Sequence, residues 1–152
     1  MKTILKKAEP EDLNDINFLL KLSKSHWGYD ESFMNDFMKQ FGVTEEYLKT
    51  STVHLFFVNE KLIGFYSFSL DDINLPQLDN FFLHPNFIGY GFGRQLWQHC
   101  CASALDNNIH EFTLWADPHA EGFYLKMGCE RIRLQLSPLG VDRYIPVMKY
   151  AL

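Results

Sequence analysis

The spacing of apolar and polar residues divides this chain into helices and strands. Apolar residues three and four apart predict helices that begin near residue 10, near residue 30 and just after residue 91, with a short one at 118–127. Runs rich in β-branched and aromatic residues predict strands at 2–8, 53–58, 62–70, 75–84, 110–116, 129–136 and 142–150. This order predicts an α/β fold, in which a mixed, mostly antiparallel central sheet is flanked by helices. The length suits a single domain covering residues 1–152.

The helix that begins after residue 91 carries the clearest apolar pattern. Two rows of residues four apart lie side by side on it: Phe92, Leu96, Cys100 and Ala104 in the first, and Gly93, Trp97, Cys101 and Leu105 in the second. Adjacent rows at this spacing predict one wide helix face that is buried against the rest of the domain. We also expect Trp115, in the strand at 110–116, to lie in the core.

Three glycines, Gly89, Gly91 and Gly93, alternate at the start of this helix and lead directly to Arg94. Glycine lets the backbone approach a ligand closely, and a helix start offers unpaired N–H groups and a partial positive charge. The segment therefore predicts a binding site for a phosphorylated ligand. The alternative is a glycine loop that only turns the strand into the helix. Two common nucleotide folds fit poorly, because no Gly-Lys-Ser/Thr sequence follows the loop and residues 95–152 are too few to complete a doubly wound sheet.

Two stretches resemble the GCN5-related N-acetyltransferase (GNAT) family. The first, Leu83-His84-Pro85 and then Ile88-Gly89-Tyr90-Gly91-Phe92-Gly93-Arg94, is similar to the family's acetyl-CoA motif, in which Arg/Gln-x-x-Gly-x-Gly/Ala opens a long helix. The second, Asp117-Pro118-His119-Ala120-Glu121-Gly122-Phe123-Tyr124-Leu125-Lys126-Met127-Gly128, is similar to Asn-x-x-Ala-x-x-Phe-Tyr-x-x-x-Gly. Ile88 departs from the first motif, and Asp117 departs from the second.

The resemblance implies a site for acetyl-CoA. The residues that it assigns to this site are Phe81, Phe82, Leu83, Ile88, Gly89, Tyr90, Gly91, Phe92, Gly93, Arg94, Asp117 and Tyr124. Backbone N–H groups at the strand end would stabilise the carbonyl oxygen as it becomes negative. Tyr124 would give a proton to the departing thiolate, since a phenol with a pKa of about 10 is protonated at neutral pH. The alternative is that Tyr124 only packs or orients the thioester.

Candidates for the general base and the amine pocket come from other segments. Asp79 lies on the strand that leads to the glycines, and alternation predicts Gln77 and Phe81 on the same strand face. Asp79 can take the amine proton directly or through water; the alternative is a structural carboxylate.

The N-terminal helices wall the acceptor pocket in this family, which implies a substrate-binding role for His26, Trp27, Tyr29 and Asp30. Aromatic faces attract cations, and Asp30 can pair with an amine. The alternative is that this cluster is an aromatic anchor in the core.

Composition narrows the class of function. The net charge is −5 and no basic stripe is present, so we expect no nucleic-acid partner. No apolar run approaches the ~20 residues of a membrane span, and the N-terminus lacks a signal peptide's apolar core. Cys100, Cys101 and Cys129 are odd in number, and two are adjacent, which favours free thiols in a reducing cytoplasm. The six histidines have no metal-ligand spacing, so we expect no metal.

The sequence thus predicts an acyltransferase, an acetyl-CoA-dependent N-acetyltransferase that moves the acetyl group to a primary amine by direct transfer in a ternary complex. The acceptor, a small-molecule or peptide amine, is not identified by these residues. Neither is the oligomeric state, although homodimers are common in the family. Two alternatives stay open: a non-catalytic CoA-binding sensor or scaffold module, and a binder of a phosphorylated ligand unrelated to CoA.

Overall fold

The computed structural model describes residues 2–152. Over that range seven strands form one sheet: β1 (Thr3–Lys7), β2 (Thr52–Val58), β3 (Lys61–Leu70), β4 (Pro76–Leu83), β5 (Glu111–Trp115), β6 (Glu130–Leu136) and β7 (Tyr144–Ala151). The α-helices are α1 (Leu13–Ser25), α2 (Glu31–Phe41), α3 (Glu45–Thr50), α4 (Phe92–Asp106) and α5 (Glu121–Met127). Short 3-10 turns precede α1, α4 and α5. The predicted mixed α/β fold is confirmed.

The strand order in the sheet is β1-β2-β3-β4-β5-β7-β6. Every neighbouring pair is antiparallel except β4 and β5, which are parallel and are connected through α4. The β2–β3 hairpin turns at Asn59 and Glu60, whose φ angles of 49° and 70° are those of a tight turn with both central residues left-handed. The parallel pair lies in the middle of the sheet, so a gap between β4 and β5 is bordered by further strands on both sides.

Strands β4 and β5 pair at only two positions, Gln77 with Thr113 and Leu78 with Leu114, and then separate. On its other side β4 contains a β-bulge, because Asn80 pairs with Ser67 while Leu78 pairs with Phe68. Asp79 is therefore the extra residue. A bulge bends the strand and increases its twist, and it is a common device beside binding sites. Here it accompanies the opening between β4 and β5.

The bulge also corrects the predicted alternation along β4. Simple alternation places Phe81 on the same face as Asp79. In the structure Phe81 and Leu78, three residues apart, both pack with the core under α4 and α5. Asp79 bonds to Tyr47 of α3 instead. The expectation for Phe81 is wrong because the extra residue shifts the alternation by one position, whereas Gln77 does share the face of Asp79 and bonds to it.

Two separate cores cover the two faces of the sheet. Helices α4 and α5 pack on one face, with Phe92, Leu96, Cys100 and Ala104 of α4 all buried as predicted. Helices α1 and α2 pack on the other face, around Ile16, Leu20, Met34, Phe37 and Phe65. We call these the α4/α5 face and the α1/α2 face. The buried stripe of α4 contains the whole first row and Trp97 of the second row, whereas Gly93 and Cys101 are partly buried and Leu105 is 47% exposed.

The structure differs from the sequence predictions in two further features, helix α3 and Trp115. Helix α3 is not predicted by the sequence pattern, because it has only six residues and no repeated apolar face; the Thr44 hydroxyl accepts a hydrogen bond from the Tyr47 N–H and begins it. Trp115 is 43% exposed and is not core. Its neighbours Phe112 and Leu114 alternate into the α4/α5 face at the buried positions of β5.

Candidate active site

A cavity of about 900 Å³ occupies the opening between β4 and β5. Its walls are formed by β4 and β5, by α1 and α2 on one face of the sheet, and by α4 and α5 on the other face. Its lining includes the glycine-loop residues Ile88, Gly89, Gly91, Gly93 and Arg94, the strand residues Asp79 to Leu83, and Lys24, Trp27, Tyr47, Asp117, His119, Tyr124 and Arg143. One continuous space therefore joins the glycine loop to the α1/α2 face.

The glycine loop has the backbone that an anion site requires. Gly89 and Gly91 have φ angles of 89° and 85°, and a Cβ at either position would point into open space. Gly91 precedes α4 without a side-chain cap. The first bond of the helix runs from the Gln95 N–H to the Gly91 carbonyl at 3.2 Å. The N–H groups of the first turn before Gln95 have no acceptor within the helix and carry the positive end of its dipole.

Gly93 has a different role from the other two glycines. A Cβ there would lie 3.1 Å from Cε1 of Phe123, so this glycine lets α4 approach α5. Ile88, which stands where the family has Arg or Gln, is 45% exposed and lines the cavity. Its side chain supplies no polar donor, which leaves the backbone of the loop and Arg94 as the candidate anion-binding groups at this end of the cavity.

Tyr124 lies on α5 with its side chain facing the cavity. Its ring packs at the edge of Phe81 and Trp97, with centroids 6.2 Å and 6.0 Å apart. Burial raises the pKa of the phenol above its usual value, so the hydroxyl keeps its proton at neutral pH. In residues 2–152 no hydrogen bond holds this hydroxyl to another residue. The proton is therefore available to a group that enters the cavity.

Asp79 is held in a network of polar side chains on the α1/α2 face. Tyr47 donates its hydroxyl to Oδ2 at 2.5 Å, and Gln77 donates Nε2 to Oδ1 at 3.1 Å. Ser67 links Tyr47 to Asn80 through bonds of 2.8 Å on each side. Burial raises the pKa of Asp79, although the donors work in the opposite direction. The carboxylate is thus oriented by two fixed donors at the edge of the cavity.

Asp117 is the centre of a second polar cluster. Its Oδ2 accepts from the Lys24 ammonium at 2.5 Å and from the Tyr29 hydroxyl at 2.7 Å, while Oδ1 accepts from the backbone N–H of His119 at 2.8 Å. The Arg143 guanidinium lies 3.6 Å from Oδ2. Burial alone would raise the pKa of Asp117, but Lys24 and the other donors outweigh it and lower the pKa to about 2. The ion pair with Lys24 is buried, with side-chain exposures of 8% and 9%.

The four residues predicted to bind the acceptor lie in different settings. Trp27 lines the cavity and stacks on His119, with centroids 5.3 Å apart and nearly parallel planes. His26 is exposed and touches Trp27 edge-on. Tyr29 is half-buried and bonds to Asp117. Asp30 lies outside the cavity wall, because its carboxylate accepts from the Phe33 N–H and begins α2. The structure therefore brings Trp27 into the cavity and gives Asp30 a capping role.

Three residues of the site are not found by the sequence reasoning: Lys24, Tyr47 and Arg143. Lys24 had a signal, because it continues the row of Ile16 and Leu20, four residues apart, that buries α1. A charged residue in such a row needs a partner. Tyr47 and Arg143 lie in a short helix and a loop, where the sequence pattern offers no comparable signal.

The comparison with known families agrees with this geometry. The family model for the acetyltransferase (GNAT) domain matches residues 5–150 of this chain. The chain belongs to the GNAT family. One curated relative, the ycf52-like N-acetyltransferase of Prochlorococcus marinus, is 31% identical over 68 residues, which is 45% of this chain. The match spans 38% of that relative's length.

Solved GNAT structures share the fold over the whole chain. The PaiA N-acetyltransferase of Thermoplasma acidophilum, in complex with coenzyme A, has a TM-score of 0.81 at 17% identity and covers 100% of both chains. A GCN5-related N-acetyltransferase of Rhodopseudomonas palustris has a TM-score of 0.78 at 16% identity, with 100% of this chain and 97% of that chain covered. The ribosomal-protein-S18-alanine N-acetyltransferase of Escherichia coli has a TM-score of 0.72 at 15% identity, covering 99% of this chain and 94% of that one.

Among residues 2–152, no group of three or more His, Cys, Asp or Glu side chains is arranged to hold a metal ion. Within the same part of the chain, no helix has the length and apolar character needed to cross a membrane.

Proposed function

We propose that this GNAT protein is an acetyl-CoA-dependent N-acetyltransferase that acts on a primary amine by direct transfer in a ternary complex. The observation that carries the proposal is the single cavity that contains the glycine loop, Tyr124 and Asp79. The two ionisable groups approach the cavity from opposite faces of the sheet. That arrangement gives a proton donor and a proton acceptor to one reaction centre between β4 and β5.

The residues present fit acetyl-CoA. Gly89 and Gly91 leave open space in front of the backbone, and the uncapped start of α4 offers N–H groups to a pyrophosphate. Arg94 adds a positive charge beside them. The gap between β4 and β5 is walled by Phe81, Leu83 and Ala120, which suits the chain of a pantetheine arm. When bound, the co-substrate supplies an activated acetyl thioester.

Each residue then has one task. Asp79 accepts the proton of the attacking amine nitrogen, directly or through a water molecule, as the C–N bond forms. Backbone N–H groups of β4 that face the gap stabilise the carbonyl oxygen. As the C–S bond breaks, Tyr124 donates its proton to the sulfur, and free thiol is released. The products are the amide and CoA, and no residue is acetylated on the way.

The test is thiol release by the purified protein with acetyl-CoA and a panel of amines, each compared with a blank that lacks the amine. We expect release above the blank for at least one amine, together with the acetylated product by mass spectrometry. If CoA binds by calorimetry while no amine releases thiol, the protein is a CoA-binding sensor or scaffold instead. Equal binding of ATP and CoA would contradict the assignment of the glycine loop to CoA.

The three cysteines are free, and two of them are buried. Free thiols support the proposal that the enzyme works in a reducing compartment, the cytoplasm.

A further inference from the structure

Around Asp117, the cavity wall carries more positive than negative charge. Lys24 and Arg143 both line it, and they share one carboxylate, Asp117, so one cation has no counter-charge there. Arg143 forms no closer ion pair within residues 2–152, and its side chain is only 16% exposed. A buried charge is costly unless it is paired. The second cation beside Asp117 therefore points to an anionic ligand at this place in the cavity.

Asp117 cannot satisfy Arg143 because its oxygens are already occupied. Oδ2 accepts from Lys24 and Tyr29, and Oδ1 accepts from the N–H of His119 and contacts its Nδ1 at 2.9 Å. Arg143 is left 3.6 Å away, beyond hydrogen-bond length. Lys24 is the ion-pair partner of Asp117, and Arg143 is the second, uncompensated cation.

The Arg143 guanidinium is nevertheless held in one orientation. NH1 donates to the Ser137 hydroxyl at 3.0 Å and NH2 donates to the Tyr29 hydroxyl at 2.7 Å. The group stacks over the rings of Tyr29 and Phe33, 5.1 Å from each centroid. A guanidinium has five N–H donors, so these two bonds leave donors for a ligand. The fork geometry of Arg matches a carboxylate, which it binds through two parallel bonds.

The position of Arg143 separates it from the CoA phosphates. Its aromatic neighbours Tyr29 and Phe33 belong to the α1/α2 face. The glycine loop begins α4 on the opposite face, where Gly93 packs on Phe123. Asp79, the proposed base, lies on the same side as Arg143. The amine and the anionic group would therefore be parts of one molecule, the acceptor.

We propose that the acceptor is an amine that also carries a carboxylate, which Arg143 binds while Asp79 faces the amine. This inference rests on the proposed function. A charged hydrogen-bonded pair in a site that excludes water discriminates strongly against a neutral isostere, because the guanidinium is otherwise left without its partner. The acceptor class is thus amino acids, ω-amino acids or peptides recognised at a carboxyl group, rather than simple amines or polyamines.

The test uses matched acceptors: α-amino acids and ω-amino acids of increasing length, each beside its own carboxamide. The readout is the ratio of kcat/KM for the acid to kcat/KM for the amide. In the wild-type enzyme we expect the best pair to show a ratio of about tenfold or more, as one charged hydrogen-bonded contact gives. Arg143→Gln should bring this ratio to about one, and Arg143→Lys, which keeps the charge but loses the fork, should lie between them.

Arg133→Gln is the matched control, because it removes the same charge from an exposed position on β6, away from the cavity. It should keep the wild-type ratio. CoA affinity, measured by calorimetry on Arg143→Gln, separates the two anion sources: a loss of CoA affinity would place the anion on CoA and overturn the proposal.

Turnover of acids and amides at equal rates by the wild-type enzyme overturns the inference while the proposed function stands, and that result does not depend on any variant folding. Absence of thiol release with every acceptor, although CoA binds, overturns both.

Discussion

Replacing Lys24 by Met removes the ammonium from the Asp117 carboxylate while keeping most of the length of the side chain. Lys24 is 7% exposed and its ammonium also lies over the rings of Tyr29 and Phe37, at 5.2 Å and 5.0 Å. Met is uncharged and ends one atom short of Nζ, so these cation–π contacts are lost together with the ion pair. The main loss is therefore electrostatic: Asp117 remains buried, with Arg143 at 3.6 Å as its nearest cation.

The pKa of Asp117 gives the magnitude from the side of the acid, although burial of the ammonium lowers the pKa of Lys24 and so offsets part of this gain. A fall from its usual 3.8 to about 2 in the folded protein is worth about 2.4 kcal/mol, at 1.36 kcal/mol per pKa unit. Removing one partner of a buried pair commonly costs about 3–5 kcal/mol. Here Tyr29 and Arg143 still face the carboxylate, so we expect about 2–3 kcal/mol at pH 7. For a chain of this length that corresponds to a fall in Tm of about 5–10 °C.

The pH dependence has a definite sign. Because the folded state lowers the pKa of Asp117, its contribution is complete above about pH 5 and is lost as the pH falls through 3.8 towards 2. The stability difference between the wild type and Lys24→Met should therefore shrink to about half at pH 3. Urea unfolding at pH 7, 5 and 3 measures it.

Lys21→Met is the matched control for this measurement, since Lys21 is exposed on the same helix. It should change stability little at any pH. A Lys24→Met protein as stable as the wild type at pH 7, or a difference that is constant down to pH 3, would refute the ion-pair reasoning.

The remaining predictions concern catalysis and cofactor binding. Tyr124→Phe should lower kcat by about 10²–10⁴-fold while CoA affinity by calorimetry and Tm stay near wild type; full activity would remove this hydroxyl from the mechanism. Wild-type kcat/KM should fall as the pH drops through the raised pKa of Asp79, because a general base must be deprotonated. Asp79→Asn should abolish this decrease at low pH. A decrease that persists in the variant would come from the titration of another group. Gly91→Val should weaken CoA binding, because Gly91 has a φ of 85° that valine rarely adopts and because the new side chain would fill the open space in front of the backbone. Gly122→Val should not, because Gly122 also faces open space but has an ordinary φ.

The elements that carry strong local signals were predictable. The row from Phe92 to Ala104 is buried as its spacing indicates. The turn at Asn59 and Glu60 joins β2 and β3 where apolar runs stop. The helix that contains Tyr124 begins and ends near its predicted limits. In each case the information lies within a few residues of the feature it determines.

The features that define the site arise from contacts between distant segments. Lys24 and Asp117 are 93 residues apart, and Tyr29 and Arg143 are 114 apart. The bulge at Asp79 depends on how β4 registers with β3, which no residue type in β4 specifies alone. Sequence pattern predicts which residues form strands and helices, whereas the pairing of charges depends on the tertiary fold.

The departure of Asp117 from the family's Asn has a physical explanation in Lys24. An Asn at 117 could still accept from the His119 N–H and begin the turn at Pro118–Ala120 that leads into α5. It could not neutralise a buried ammonium. Asp117→Asn, although it restores the family's motif, should therefore destabilise this protein, because Lys24 loses its counter-charge.

The double variant Lys24→Met/Asp117→Asn leaves no charge of the pair behind, so it should lose clearly less than the sum of the two single changes, with a coupling of about 2 kcal/mol. Additive losses, measured by urea unfolding at pH 7, would mean that the two residues are not energetically linked. Asp117 leads directly into α5, the helix of Tyr124, so the Lys24–Asp117 ion pair also connects α1 to the helix that carries the proposed acid. Lys24→Met should therefore lower kcat as well as Tm, and the double variant should regain part of both.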